Sequence, residues 1–225
     1  MRIVTVVQAR VGSARLPGKV LADLGGRPVL AHVLERAALI DPDATLVLAI
    51  PAGPSDDPLV EVGLSAGALI VRGSAEDVLD RYHQAAERTN ADAVVRITAD
   101  CPLLDPAVSS RVVARFRAGD VDYVSNVHPS TYPDGYDTEV ISSAALDAAW
   151  HEAVDPYERE HVTAFVWQRR GRFRCANVAD DVDRSSWRLT LDSPEDLENL
   201  RQIYQQLRTR GAFGLAHVIA LRQTA

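Results

Sequence analysis

The run Arg2 to Val7 (RIVTVV) is apolar and β-branched, and it opens directly into a loop, Gln8-Ala9-Arg10-Val11-Gly12-Ser13-Ala14-Arg15-Leu16-Pro17-Gly18-Lys19. An unbroken apolar run reads as a strand buried on both faces, the kind found in a covered parallel sheet. In open α/β sheets, ligands sit beyond the carboxyl ends of the strands. The loop therefore occupies a ligand's place. Gly12 and Gly18 let backbone N–H groups approach an anion closely. Arg10, Arg15 and Lys19 add charge, and arginine adds a planar fork matched to phosphate oxygens. The pattern predicts a phosphate site. It is not a Walker loop, because Val20 follows Gly18-Lys19, and G-x-G-x-x-G is absent. The alternative is an ordinary solvated basic loop.

With 225 residues, 47% of them hydrophobic, the chain can build one sizeable core. A formal net charge of -7 argues against a broad nucleic-acid surface, which is usually basic. A basic loop on an acidic chain points instead to a small anionic ligand. The two cysteines, Cys101 and Cys175, form neither a zinc pattern nor a disulfide framework. No charged-then-apolar leader and no run near the ~20 residues of a membrane span are present. A cytoplasmic protein without membrane contact is expected.

Strand and helix patterns alternate through the first half. Helices are predicted over 28–40, 57–66 and from Ser74, which is read as an N-cap with Asp77 three residues on. Strands are predicted over 45–50, 68–71, 93–98 and 121–125, and Asp105 is expected to cap the next helix. The order predicts an α/β fold, a mostly parallel central sheet with helices on both faces. The second half is less regular: strands over 136–141, 173–177 and 188–191, helices over 143–153 and 157–168, a helix capped by Ser193 through Leu207, and a closing helix over 211–221. No linker divides the chain, so one domain, 1–225, is expected, with an inserted β arm near 126–141.

Thr98-Ala99-Asp100-Cys101-Pro102-Leu103 ends the 93–98 strand, and Arg188-Leu189-Thr190-Leu191-Asp192-Ser193-Pro194 repeats the arrangement of strand, acid and turn. Carboxylates from two strand ends can hold one divalent cation beside a triphosphate; magnesium favours one or two carboxylates plus phosphate oxygens. Each acid also has a plainer reading as a turn residue. Cys101 lacks a histidine at nucleophile spacing and reads as a buried, inert thiol.

Gln8-Ala9-Arg10, Ser13 and Arg15-Leu16-Pro17-Gly18-Lys19 resemble the opening motif of cytidylyltransferases that activate sugar acids, such as the acylneuraminate and 3-deoxy-manno-octulosonate enzymes. The segments 72–82 (RGSAEDVLDRY), 96–103 (RITADCPL), 133–139 (PDGYDTE) and 158–163 (EREHVT) narrow the likeness. They resemble the spore coat polysaccharide biosynthesis cytidylyltransferase-like branch, in consistent order from Met1 to about Tyr204. The resemblance implies a GT-A-like nucleotide-diphospho-sugar transferase fold, CTP as substrate and Mg2+ as cofactor. It implies catalytic roles for Arg15, Lys19, Asp100 and Asp192, with Asp100 and Asp192 holding the metal. Nucleotide contacts would come from Gln8, Ala9, Arg10, Gly12, Ser13, Arg15 and Lys19, with Arg72, Ser74 and Asp77 near the cytidine. Asp137, Glu139, Arg159, Glu160 and His161 would face a small acidic or phosphorylated acceptor, and a homodimer is expected.

Three competing readings remain. A same-fold transferase could use another base or a phosphorylated acceptor. A glycosyltransferase of this fold usually shows Asp-x-Asp, where this chain has Asp100-Cys101-Pro102. A non-catalytic nucleotide-binding protein would be expected to lose charged site residues, yet Arg15, Lys19, Asp100 and Asp192 are all present.

Overall fold

A computed structural model describes residues 1–208 and 212–223. The N-terminal strand, β1 (Ile3–Gln8), lies inside a seven-stranded sheet. It is flanked in parallel by β4 (Thr45–Pro51) and β6 (Ala93–Thr98), and β5 (Leu69–Gly73) extends the β4 edge, also in parallel. On the other side come β8 (Glu139–Ser142), β7 (Tyr123–Ser125) and β9 (Cys175–Asn177), giving the order β5-β4-β1-β6-β8-β7-β9. Only β8 runs against the rest. The expected α/β class, a mostly parallel sheet with helices on both faces, is what the chain builds.

Alternation along the strands explains the two covered faces, because successive side chains point to opposite sides. Ile3 and Val7 join one core, packed under α1 (Val29–Ala38), α4 (Pro106–Arg117) and α8 (Pro194–Leu207). Val4 and Val6 join the other, under α3 (Val78–Thr89) and α5 (Ser143–Glu152). The remaining helices of the described residues are α2 (Asp57–Ser65), α6 (Pro156–Glu160), α7 (Ala164–Trp167) and α9 (Leu215–Gln223). None is long and apolar enough to cross a membrane.

Local capping follows the expected chemistry with one shift. Asp105 accepts from Ala107 N at the start of α4. Ser193 and Asp196 form a capping box at α8. In contrast, α3 begins one turn later than expected, at Val78. Asp77 is its cap, accepting from Asp80 N at 2.9 Å, and Ser74 closes the preceding turn by accepting from Glu76 N and Asp77 N. A two-residue ribbon, β2 (Asp23–Leu24) with β3 (Arg27–Pro28), was not legible; it turns on Gly25 and Gly26.

Three departures matter for the site. The helix expected over 157–168 breaks into α6 and α7, because Val162 takes a left-handed conformation (φ 51°) and puts His161 at the corner. The strand expected over 188–191 is not a strand. It is an extended crossing, with one bridge from Asp134 to Arg188 and a bond from Leu191 N to Asp100 O (2.8 Å). The strand expected over 136–141 pairs only from Glu139 onward, and residues 126–138 form the loop joining β7 to β8. Gly135 (φ 107°) lets that loop lie on the crossing, since a Cβ there would stand 2.7 Å from the Leu189 carbonyl. The closing helix begins at Leu215; Gly211 lies outside the described residues.

Candidate active site

The carboxyl ends of β1 and β6 open into a cavity of about 430 Å³. The loop after β1 forms its floor. Val11 N is pinned by Asp56 (2.7 Å), and Gly18 N bonds back to Val11 O (2.9 Å), closing the loop on itself. Gly18 takes the left-handed conformation (φ 74°) that starts the short 3₁₀ turn Lys19–Leu21, and this aims Lys19 inward.

Lys19 is the centre of the constellation. Its ammonium donates to Asp100 Oδ2 (2.7 Å), Asp192 Oδ1 (2.9 Å) and the Leu191 carbonyl (2.8 Å). Burial opposes its charge, but the two carboxylates outweigh burial and hold the ammonium above its ordinary pKa. Burial likewise opposes the Asp100 charge, and Lys19 wins, keeping that carboxyl below the usual range. Asp192 also meets Arg15 (3.0 Å) and Arg188 (3.3 Å). Three protein oxygens, one from the end of β6 and two from the 188–192 crossing, thus converge on one cation. That donor set, two carboxylates and a carbonyl, also suits a hard divalent ion. Among the described residues no cluster of three His, Cys, Asp or Glu forms a larger metal cage.

The cavity gathers Gln8, Ala9, Arg10, Gly12, Ser13, Arg15, Lys19, Asp100 and Asp192. From the acceptor group it also takes Glu160 and His161; Glu160 pairs with Arg10 at 3.5 Å. Arg72, Ser74 and Asp77 lie outside its lining. Arg72 ties β5 to the segment that follows β4, through Gly53 O (2.9 Å) and Asp57 at the start of α2 (2.6 Å). Asp77 is engaged by Arg159, whose guanidinium also donates to Trp150 O (2.7 Å).

A second cavity of about 220 Å³ adjoins the first, sharing Thr98 and His161. Asp137, Glu139, Arg96, His128, Tyr157 and Trp167 are among its walls. Glu139 is buried in an ion pair with Arg96 and accepts from the hydroxyls of Thr163 (2.6 Å) and Tyr123. Burial would raise the Glu139 carboxyl, but Arg96 dominates and lowers it. Asp137 makes no ion pair among the described residues, and the pull of Arg96 on it is outweighed. Burial first, then Asp134 and Glu139, push it up to about 7.

Sequence reasoning missed Arg81. Its side chain is 2% exposed and lines the first cavity, with Nε and Nη1 lacking any partner; Gln8 Oε1 is likewise unmatched there. An arginine within the buried stripe of α3, between Val78 and Tyr82, was the available signal. Cys101 is buried and its thiol is pushed well above the ordinary value, first by burial and then by Asp100, which fits an inert role.

A cytidylyltransferase family profile matches residues 4–213. MJ1063 of Methanocaldococcus jannaschii, an uncharacterized protein, is 34% identical over 200 residues, covering 88% of this chain and 81% of that one. The spore coat polysaccharide biosynthesis protein SpsF of Bacillus subtilis is 31% identical over 228 residues, covering 97% and 93%. The structure of a cytidylyltransferase from Leptospira borgpetersenii superposes with a TM-score of 0.94 at 29% identity, over 100% of this chain and 95% of that one. On this match and this site, the chain is an enzyme belonging to the cytidylyltransferase family.

Proposed function

We propose that the chain transfers CMP from CTP to an acidic or phosphorylated sugar-like acceptor, releasing pyrophosphate, in the building of a surface glycan. The observation that carries this reading is the Lys19 ammonium fixed between Asp100 and Asp192 at the mouth of a cavity floored by the 8–19 loop. Such a site neutralises and positions phosphates, which is most of what nucleotidyl transfer needs.

Arg10, Ser13 and Arg15 line the floor and contact the triphosphate in this reading, and Lys19 and Arg15 balance the charge that grows on the leaving pyrophosphate. An acceptor oxygen bonds to the α-phosphorus, the bond from that phosphorus to the bridging oxygen breaks, and the acceptor's proton leaves to solvent. A divalent cation held by Asp100 and Asp192, Mg2+ in this reading, supplies further neutralisation of the phosphate oxygens. Gln8 Oε1 and the unmatched N–H groups of Arg81 suit a ligand offering both a hydrogen-bond donor and acceptors, as a cytosine ring does. The acceptor enters from the second cavity, where Asp137, Glu139 and His161 stand. Segment 126–141 supplies part of that wall and, in this reading, a homodimer contact.

The test is pyrophosphate release from CTP, GTP, UTP and ATP with Mg2+ against sugar acids and sugar phosphates. Release with CTP and one acceptor class supports the reading, as does a weakened metal dependence in Asp100→Asn. Release with a different base alone, or CTP binding that no acceptor converts to release, rejects it. Sedimentation velocity tests the homodimer.

A further inference from the structure

The second cavity carries a charge imbalance that narrows the acceptor. Among the described residues, the Lys and Arg side chains on its wall reduce to Arg96, and Glu139 neutralises that guanidinium. One N–H of Arg96, at Nε, remains buried and unmatched, but its charge is already balanced. Asp137 stands on the same wall with no hydrogen bond or ion pair to any described residue. It is half-buried, and Asp134, Glu139 and Asp100 bear on it with the same sign, opposed by the Arg96 guanidinium that Glu139 already pairs. The polar remainder of the wall is Thr98, Thr163, Tyr157, His128 and His161; burial lowers the pKa of His128 and so favours its neutral ring.

An acidic group entering here would meet a carboxyl and no free cation. A cationic group would find a counter-ion in Asp137 and the aromatic rings of Tyr157 and Trp167 on the same wall, a setting that suits ammonium groups. We propose that this cavity selects an acceptor carrying a primary ammonium group, with Asp137 as its counter-ion; any acid or phosphate of that acceptor lies toward Arg10 and Arg15. The inference rests on the proposed function only in taking this cavity as the acceptor side. Burial is the first cause of the upward push on Asp137, and a bound cation relieves the second, the like-charge crowding from Asp134 and Glu139.

Three probes are compared, D-glucose and two sugars that each differ from it in one group: D-glucosamine, with an amine for a hydroxyl, and D-glucuronate, with a carboxylate for the hydroxymethyl. Their affinities are read by saturation-transfer NMR on the full chain, with CTP affinity measured separately by calorimetry. Glucosamine is expected to bind roughly tenfold tighter than glucose, with glucuronate weakest. Asp137→Asn is expected to bring glucosamine down to the glucose level, with CTP binding serving as the check on folding. Equal affinities, a preference for glucuronate, no binding by any probe, or a preference surviving in Asp137→Asn each overturn the proposal. The wild-type ratio decides the question even where the variant folds poorly. Pyrophosphate release with acids but never with amines removes this inference and leaves the cytidylyl transfer reading intact. Failure to bind CTP removes that reading, whatever the sugars do.

Discussion

The two cavities share Thr98 and His161 and invert each other's electrostatics. In the first, Arg10, Arg15, Lys19 and Arg81 face Asp100, Asp192 and Glu160; in the second, Asp137 and Glu139 face Arg96. The difference in exposure is as large. The first cavity's outer cations sit on a loop, with Arg10 and Arg15 more than half exposed, whereas the Arg96–Glu139 pair is buried between adjacent strands. Loop cations can follow phosphates as they separate. Groups fixed on a sheet can only admit or refuse a shape and a charge. Under the proposed function, one wall serves the changing part of the reaction and the other chooses what enters.

The sharpest way to break this contrast is Lys19→Ala. Removing the cation that links both carboxylates is expected to cut pyrophosphate release on the order of 10²–10³-fold. A stopped assay on protein whose circular dichroism is unchanged checks it, and an undiminished rate removes Lys19 from the chemistry.

Asp137→Asn probes the opposite wall through stability. The folded-state pKa of Asp137 is about 7, against an ordinary 3.8. The native state therefore holds this proton more tightly than the unfolded chain does. That contribution is full below about pH 4 and is lost as pH rises through about 7. At about 1.36 kcal/mol per unit, Asn is expected to be more stable than Asp by roughly 4 kcal/mol at pH 8, with the difference vanishing below about pH 4. Urea melts at both values read it, and a pH-independent difference would remove the upward push on the Asp137 carboxyl.

Arg81→Met tests whether the first cavity's buried cation serves a ligand rather than the fold. Two of its nitrogens lack partners, so the change is expected to leave the melting temperature unchanged or higher, while the KM for CTP rises about tenfold. A large loss of stability with normal KM would make Arg81 structural. Arg10→Ala is the mildest change. Its 3.5 Å pair with Glu160 is half exposed, so a two- to threefold rise in KM, fading with salt, is expected from about 0.5 kcal/mol. A salt-insensitive effect would show a tighter phosphate contact than the loop geometry provides.

Much of this arrangement was legible because it is local. An apolar run bounded by glycine and proline reads as a buried strand whichever side it packs on, and Asp105 and Ser193 cap helices through bonds two or three residues away. The 8–19 loop was legible for the same reason. Less legible was how side chains divide their labour across the fold. Asp77 and Arg159 were both expected to face ligands, and the structure pairs them with each other across 82 residues of sequence. No local pattern announces such a pair. The break at Val162 was hidden because its flanks, Tyr157–Glu160 and Ala164–Gln168, each carry helical spacing.

Sequence alone determined the covered, mostly parallel sheet, the basic loop at its carboxyl edge, and the two acids that end Thr98-Ala99-Asp100 and Thr190-Leu191-Asp192, since periodicity, turn chemistry and capping act over a few residues. Tertiary structure decided that residues 188–192 cross the end of β6 without joining the sheet. The bond from Leu191 N to Asp100 O fixes that crossing and brings Asp192 to Lys19 over 173 residues. It also decided that Arg96 is neutralised by Glu139 while Asp137 is not. Charge balance inside a protein depends on which groups share a low-dielectric space, and that is a property of the packed fold and not of spacing along the chain.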